Sequence, residues 1–217
     1  MFKKTLACLG LTALATLASA HELWVEQDAE GVARVYIGEP EEGPDAGEAV
    51  QNMAAGAKVF TTDISKAAPV TVKNDHLEAK PAGAGDIRVV NDGVWKPWKN
   101  EDRTFTAPLM HARYGRSDTQ AAMDFELVPT AAGANQFALT FKGKPLANHD
   151  VVMFRPEHDA KPVELKTDAK GVVEAPAEGK GRFILAANHN APANGASIGG
   201  QKIDGYYYGT TTTFTVE

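Results

Sequence analysis

Apolar residues along this chain alternate with polar ones in short runs and seldom recur at the three- and four-residue spacing of a helix. Period-two alternation puts every second side chain on one face, the signature of half-buried strands. The pattern predicts strands at 22–26, 32–37, 58–62, 70–73, 86–90, 103–114 and 123–128 in the first half. In the second half it predicts 136–142, 151–155, 163–167, 171–175, 181–187 and 206–216. Turn formers separate them, among them Asn91-Asp92-Gly93, Lys142-Gly143-Lys144-Pro145 and Asp168-Ala169-Lys170-Gly171. Pro108 has no ladder donor and marks its strand as an edge or bulged strand. Two stretches do not alternate. Residues 39–56 are acidic and Ala/Gly-rich, a loop with one helical turn over Ala46–Ala54. Residues 190–205 are rich in Gly, Ala and Asn and long enough for a functional or mobile loop. The expected fold is all-β, with two β-sandwich-like domains over 21–130 and 135–217. The PTAAGA stretch at Pro129–Ala134 separates them.

Residues 1–20 do not belong to that pattern. Lys3 and Lys4, an apolar run from Leu6 to Leu17, and Ala18-Ser19-Ala20 form a secretory signal peptide with its cleavage site. The expected product starts at His21 and is a soluble periplasmic protein. No later segment approaches the ~18 consecutive apolar residues that span a membrane. Cys8, the single cysteine, lies in the signal, so the processed chain has neither disulfides nor thiolate ligands. Without Lys3 and Lys4 the charge moves from −6 to −8. That surface argues against nucleic acid and anionic membranes and is compatible with cations.

Cleavage after Ala20 exposes unusual chemistry. An N-terminal histidine offers one metal ion both its α-amine and its ring Nδ1. The amine, with a pKa of about 7.7, gives up its proton cheaply at neutral pH. A further histidine from a neighbouring strand would complete a three-nitrogen brace suited to copper(II) or nickel(II). The plainer alternative is that cleavage happens to precede an exposed histidine. His111 follows Phe105, Ala107 and Leu109 in alternation, which makes it either a ligand at a sheet end or a hydrogen-bonded core residue. His189 ends a strand before the long loop, as a ligand or a solvated turn residue. His76 has Asp75 as a possible co-ligand, whereas His149 and His158 read as surface residues. Met110, Met123 and Met153 are too few and scattered for a copper(I) chaperone, and read as core filler. Trp95-Lys96-Pro97-Trp98 and Tyr206-Tyr207-Tyr208 form either a carbohydrate-stacking face or ordinary packing, and Trp24 is expected to pack under His21. No G-x-S-x-G elbow, phosphate loop or HExxH helix occurs, and the chain reads as a binding protein rather than an enzyme.

Two resemblances bear on these residues. Gly143-Lys144-Pro145-Leu146, the strand after it, Thr167-Asp168-Ala169-Lys170-Gly171 and Gly181-Arg182-Phe183 resemble small Ig-like, transthyretin-like domains. Together with the His21-Glu22-Leu23-Trp24 start, Phe125–Pro129 and the threonine-rich strand 210–216, the whole resembles periplasmic proteins associated with nickel and cobalt uptake. Many members of that family have no assigned function. The resemblance implies a divalent-metal-binding protein that assists an inner-membrane transporter, and it carries over only the His21–Trp24 start; His111 and His189 are candidate partner ligands from their places in the strand pattern. Nickel or cobalt is the expected metal, and copper comes next. Two alternatives stay open. One is a copper-dependent polysaccharide oxidase built on the same N-terminal brace; the other is a structural Ig-like envelope module without metal.

Overall fold

In the computed structural model, residues 21–155, 161–198 and 200–217 are described. The expected signal peptide and His158 lie outside them. Strands occupy the alternating runs, with several short additions. In the first half they are β1 (Glu22–Gln27), β2 (Ala33–Glu39), β3 (Gly43–Pro44), β4 (Ala57–Phe60) and β5 (Thr71–Val72). These are followed by β6 (Leu77–Ala79), β7 (Ile87–Asn91), β8 (Trp98–Lys99), β9 (Phe105–Tyr114) and β10 (Phe125–Pro129). The second half holds β11 (Gln136–Phe141), β12 (Lys144–Pro145), β13 (Asp150–Phe154), β14 (Val163–Lys166) and β15 (Val172–Glu174). It ends with β16 (Gly181–Pro192), β17 (Ser197–Ile198), β18 (Gln201–Lys202) and β19 (Gly205–Val216). One helix, α1 (Glu48–Gly56), lies within the acidic stretch and buries Val50 and Met53.

The fold is all-β and sandwich-like. Its middle layer is an eight-stranded sheet in the order β14-β13-β16-β19-β9-β7-β4, with β8 beside β9. A sheet of β1-β2-β6-β5 covers one face, and Leu23, Val25, Val35, Ile37 and Leu77 pack there on Val89, Met110 and Ala112. A sheet of β10-β11-β12, with β15, covers the other, where Phe125, Leu127, Phe137 and Leu139 meet Leu185, Tyr208 and Phe214. The turn after Pro129 joins β10 to β11 in a hairpin, and β9 pairs in parallel with β19. The halves 21–130 and 135–217 therefore share the middle sheet.

This layering explains the threonine run. Thr210, Thr211, Thr212 and Thr213 are all fully buried because β19 is covered on both faces. Their side chains alternate. Thr211 donates its hydroxyl hydrogen to the Leu23 carbonyl in one outer sheet (2.6 Å), and Thr212 to the Leu127 carbonyl in the other (2.8 Å). At 211 and 212 threonine suits such a strand because its β-branched stem packs while its hydroxyl caps a carbonyl of the next layer, whereas the buried hydroxyls of Thr210 and Thr213 have no partner. Thr212→Val should lower stability by about 1 kcal/mol, read from urea unfolding at constant m-value.

Two local expectations are corrected. Pro108 sits in a strand flanked on both sides, not at an edge. It is tolerated because β7 pairs with Met110–Tyr114 and β8 with Phe105–Thr106, leaving a gap on that flank at Pro108. The stretch 190–205 is largely ordered: β16 runs to Pro192, and β17 and β18 form a small hairpin. Ala193 and Ile203 bury themselves against Ala107, an anchor hidden by the small polar residues around them.

A charged cluster crosses the layers. Arg88 and Arg113 are fully buried, and both reach Glu126, Arg88 Nε at 2.8 Å and Arg113 at 2.7 Å. Arg113 also pairs with Asp86, and Arg88 with Asp118 at 3.1 Å. The second Glu126 oxygen accepts from the backbone N–H groups of Ala122 (2.7 Å) and Met123 (3.0 Å). Burial pushes the Asp86 carboxyl up, but hydrogen bonds from Ser117 and Arg113 outweigh it and hold it below the usual range.

Candidate metal centre

His21 opens β1, and the antiparallel hairpin with β2 decides its neighbours. Glu22 lies opposite Gly38, so the next position outward sets His21 across from Glu39. The Asp28–Gly31 turn fixes that register, because Asp28 accepts from the N–H groups of Glu30 (3.0 Å) and Val32 (2.9 Å). His21 Nδ1 lies 4.0 Å from Glu39 Oε1, and Nε2 lies 3.2 Å from Asp45 Oδ2. Glu42, Gly43 and Pro44 complete a shallow pocket of about 340 Å³ around them. The ring is 44% exposed and therefore open to solvent ions.

The donors gathered here are one imidazole and the carboxylates of Glu39 and Asp45. A carboxylate facing Nε2 favours the proton there and leaves the Nδ1 lone pair for an ion, the usual carboxylate–histidine pairing. Nδ1 is the nitrogen that shares a chelate ring with the α-nitrogen, and Glu39 lies on that side. The aromatic beside His21 is not the expected Trp24, which is buried and stacks on Tyr36 at 5.3 Å. It is Trp95, edge-on to the imidazole at 6.5 Å between ring centres. Glu39 and Asp45 were absent from the sequence-derived site, yet the hairpin register around Asp28–Gly31 contained the signal for Glu39.

His111 lies deep inside, 4% exposed, and stacks on Tyr208 with ring centres 5.9 Å apart. Its Nδ1 has no partner. Burial lowers its pKa from 6.5 to about 4, against weaker opposing effects of Asp124 and Glu126. It is neutral in the fold at pH 7, whereas the unfolded chain takes up the proton first as pH falls. The resulting stability is fully present above pH 6.5 and is lost between 6.5 and about 4. It amounts to about 3 kcal/mol. His111→Phe should remove this pH dependence, seen by comparing urea unfolding at the two ends of that window.

His189 is in β16, opposite Tyr208. Its ring meets Phe141 at 4.6 Å and His149 at 5.6 Å. His149 is thus not a plain surface residue: its Nε2 lies 2.8 Å from the Asn188 carbonyl oxygen. Burial first, and then His149, lower the His189 pKa. Two imidazoles on one ion at about 2.0 Å have ring centres up to roughly 6 Å apart, which includes this pair. No sequence signal joined residues 149 and 189, because only the β13–β16 pairing makes them neighbours. His76 turns its Nδ1 to Asp75 at 2.7 Å and its Nε2 toward Glu78 at 3.5 Å.

Glu22 lines a separate cleft of about 270 Å³ with His149, Asp150 and Asn188. Burial, with a smaller push from Glu41, raises its carboxyl to about 8. Tyr207 is pushed up to about 12, first by burial and then by Glu22.

Among the described residues, no three His, Cys, Asp or Glu side chains form a ready-made metal group, so His21, His111 and His189 do not meet at one point. No helix among them is long and apolar enough to cross a membrane. Neither a family model, nor a curated protein, nor a solved structure matches this chain.

Proposed function

We propose that this is a periplasmic divalent-metal-binding protein that assists nickel or cobalt uptake by an inner-membrane transporter, with a processed His21 as its anchor ligand. One observation carries the reading: His21 stands in a solvent-open acidic pocket with Nδ1 toward Glu39 and Nε2 facing Asp45. After cleavage at Ala20, the α-nitrogen and Nδ1 of His21 supply two nitrogens and Glu39 an oxygen. Asp45 holds the ring. His149 and His189 offer a second pair of nitrogens elsewhere on the surface, and His111 is the enclosed candidate. The family resemblance supports the transport role, and the net negative surface supports a cationic cargo. Copper(II) is the competing metal, because nitrogen donors serve it equally well.

The test is a calorimetric titration of the processed protein with nickel, cobalt, copper and zinc ions. A variant with one extra residue before His21 is titrated beside it. One-to-one binding that collapses in the extended variant supports the reading and ranks the metals. Equal binding by both forms moves the site to internal histidines. Absence of binding in both leaves a structural envelope module.

A further inference from the structure

A cleft of about 550 Å³ lies away from the pocket of His21, Glu39 and Asp45 and shares no residue with it. Its principal walls are Trp98, Tyr206, Asn100, Thr106, Asn190 and Pro192. None of its eight lining residues carries a charged side chain. Trp98 is 38% exposed, one of only three large apolar side chains so exposed among the described residues. An exposed indole ordinarily swings freely, but this one is held. Its Nε1–H donates to Asn100 Oδ1 at 3.1 Å, and Asn100 Nδ2 in turn reaches the hydroxyls of Thr104 and Thr106, each at 2.9 Å. Tyr207 braces the indole edge-on, with ring centres 6.1 Å apart.

We infer that this cleft binds a neutral oligosaccharide. The lining chemistry selects that class. An anionic ligand such as a nucleotide or phosphosugar needs cationic or clustered N–H partners, which this lining lacks. A purely apolar ligand would leave the Asn190 amide facing hydrocarbon, at a cost. A sugar has both surfaces: ring C–H faces that lie on a fixed indole, and hydroxyls that match amides and hydroxyls. The volume falls within the usual range for small-molecule sites, and the open form suits a chain that enters and leaves the cleft. Trp98 is the stacking platform, and Asn100 is a positioning residue that acts through it. Asn190 is paired with Tyr207 on the neighbouring strand and shares the sheet face of Trp98 and Thr106.

The inference does not rest on the metal reading. It is tested on metal-free protein with the glucose hexamers of α-1,4 and β-1,4 linkage and with the N-acetylglucosamine hexamer, by tryptophan fluorescence and calorimetry. At least one hexamer should bind with Kd between micromolar and millimolar and change the indole emission. Trp98→Ala should weaken that binding at least about tenfold without altering the melting temperature. Trp98→Tyr should retain most of it, and His21→Ala all of it. Asn100→Ala should weaken binding while Trp98 emission becomes more solvent-like, because the indole is released. No binding of any of the three at millimolar concentration overturns the inference. So does undiminished binding by Trp98→Ala.

Discussion

Glu126→Gln is expected to destabilise the fold by about 3–5 kcal/mol, a fall in melting temperature of roughly 6–20 °C. The substitution keeps the shape and removes one charge. Glu126 is fully buried, and one of its oxygens faces both Arg88 and Arg113, which are equally buried. Without it, two guanidiniums remain in the interior with Asp86 and Asp118 as their carboxylate partners. The two guanidiniums and two carboxylates that remain balance in charge, so the cost lies in the Gln amide: its NH2 must face either the guanidiniums or the Ala122 and Met123 N–H groups, and the hydrogen bonds on that side are lost. A surface pair such as Lys166–Asp150, 60% and 82% exposed, is the control, and Asp150→Asn should change stability by less than about 1 kcal/mol. The cluster also gives a direction with pH. The folded Asp86 carboxyl titrates below its unfolded value, so its contribution is present above the usual carboxylate range and is lost as pH falls through the lowered value. Urea unfolding of both variants at neutral pH measures the first effect, and acid titration of the parent protein measures the second. An unaffected Glu126→Gln protein would show that the cluster is solvated.

Lengthening the chain by one residue before His21 should weaken metal binding by more than about 100-fold. It converts the α-amine into an amide and dismantles the chelate while leaving every side chain in place. Removal of a group that only orients a ligand already costs about 10–100-fold, and loss of a ligand costs more. Asp45→Asn is the graded companion. It lies 3.2 Å from Nε2, on the far side of the ring from the chelating nitrogen, and should weaken binding about 10–100-fold. Affinity should also rise from pH 6 to pH 8, because the α-amine must lose its proton, with a pKa of about 7.7, before it can bind. Calorimetry at several pH values measures all three. If Asp45→Asn and the extended chain bind as tightly as the parent, the acidic pocket is not the site.

Strand positions were legible in the sequence wherever alternation met an ordinary half-buried surface, as in β2, β11 and β13. Short pairings such as β8 and β12 were not, because two residues carry no period. The helix was legible as a turn, but its observed span, Glu48–Gly56, starts two residues later than expected. The ligand environment was half legible. His21 stood out by its place after the expected cleavage site, whereas Glu39 was missed and is placed across from it by the β1–β2 register. Asp45 lies beyond β3 and required the fold.

What the sequence determined by itself was the all-β class and most strand positions. Each depends on local pattern. The tertiary structure alone decided the rest. It placed β9 beside β19, sheathed the threonine strand on both faces, joined Arg88, Arg113, Asp86 and Glu126, paired His149 with His189, and set Trp98 against Tyr207. The physical reason is the same in each case: these neighbours are brought together by long-range strand pairing and layer packing, whose partners leave no mark in the local sequence.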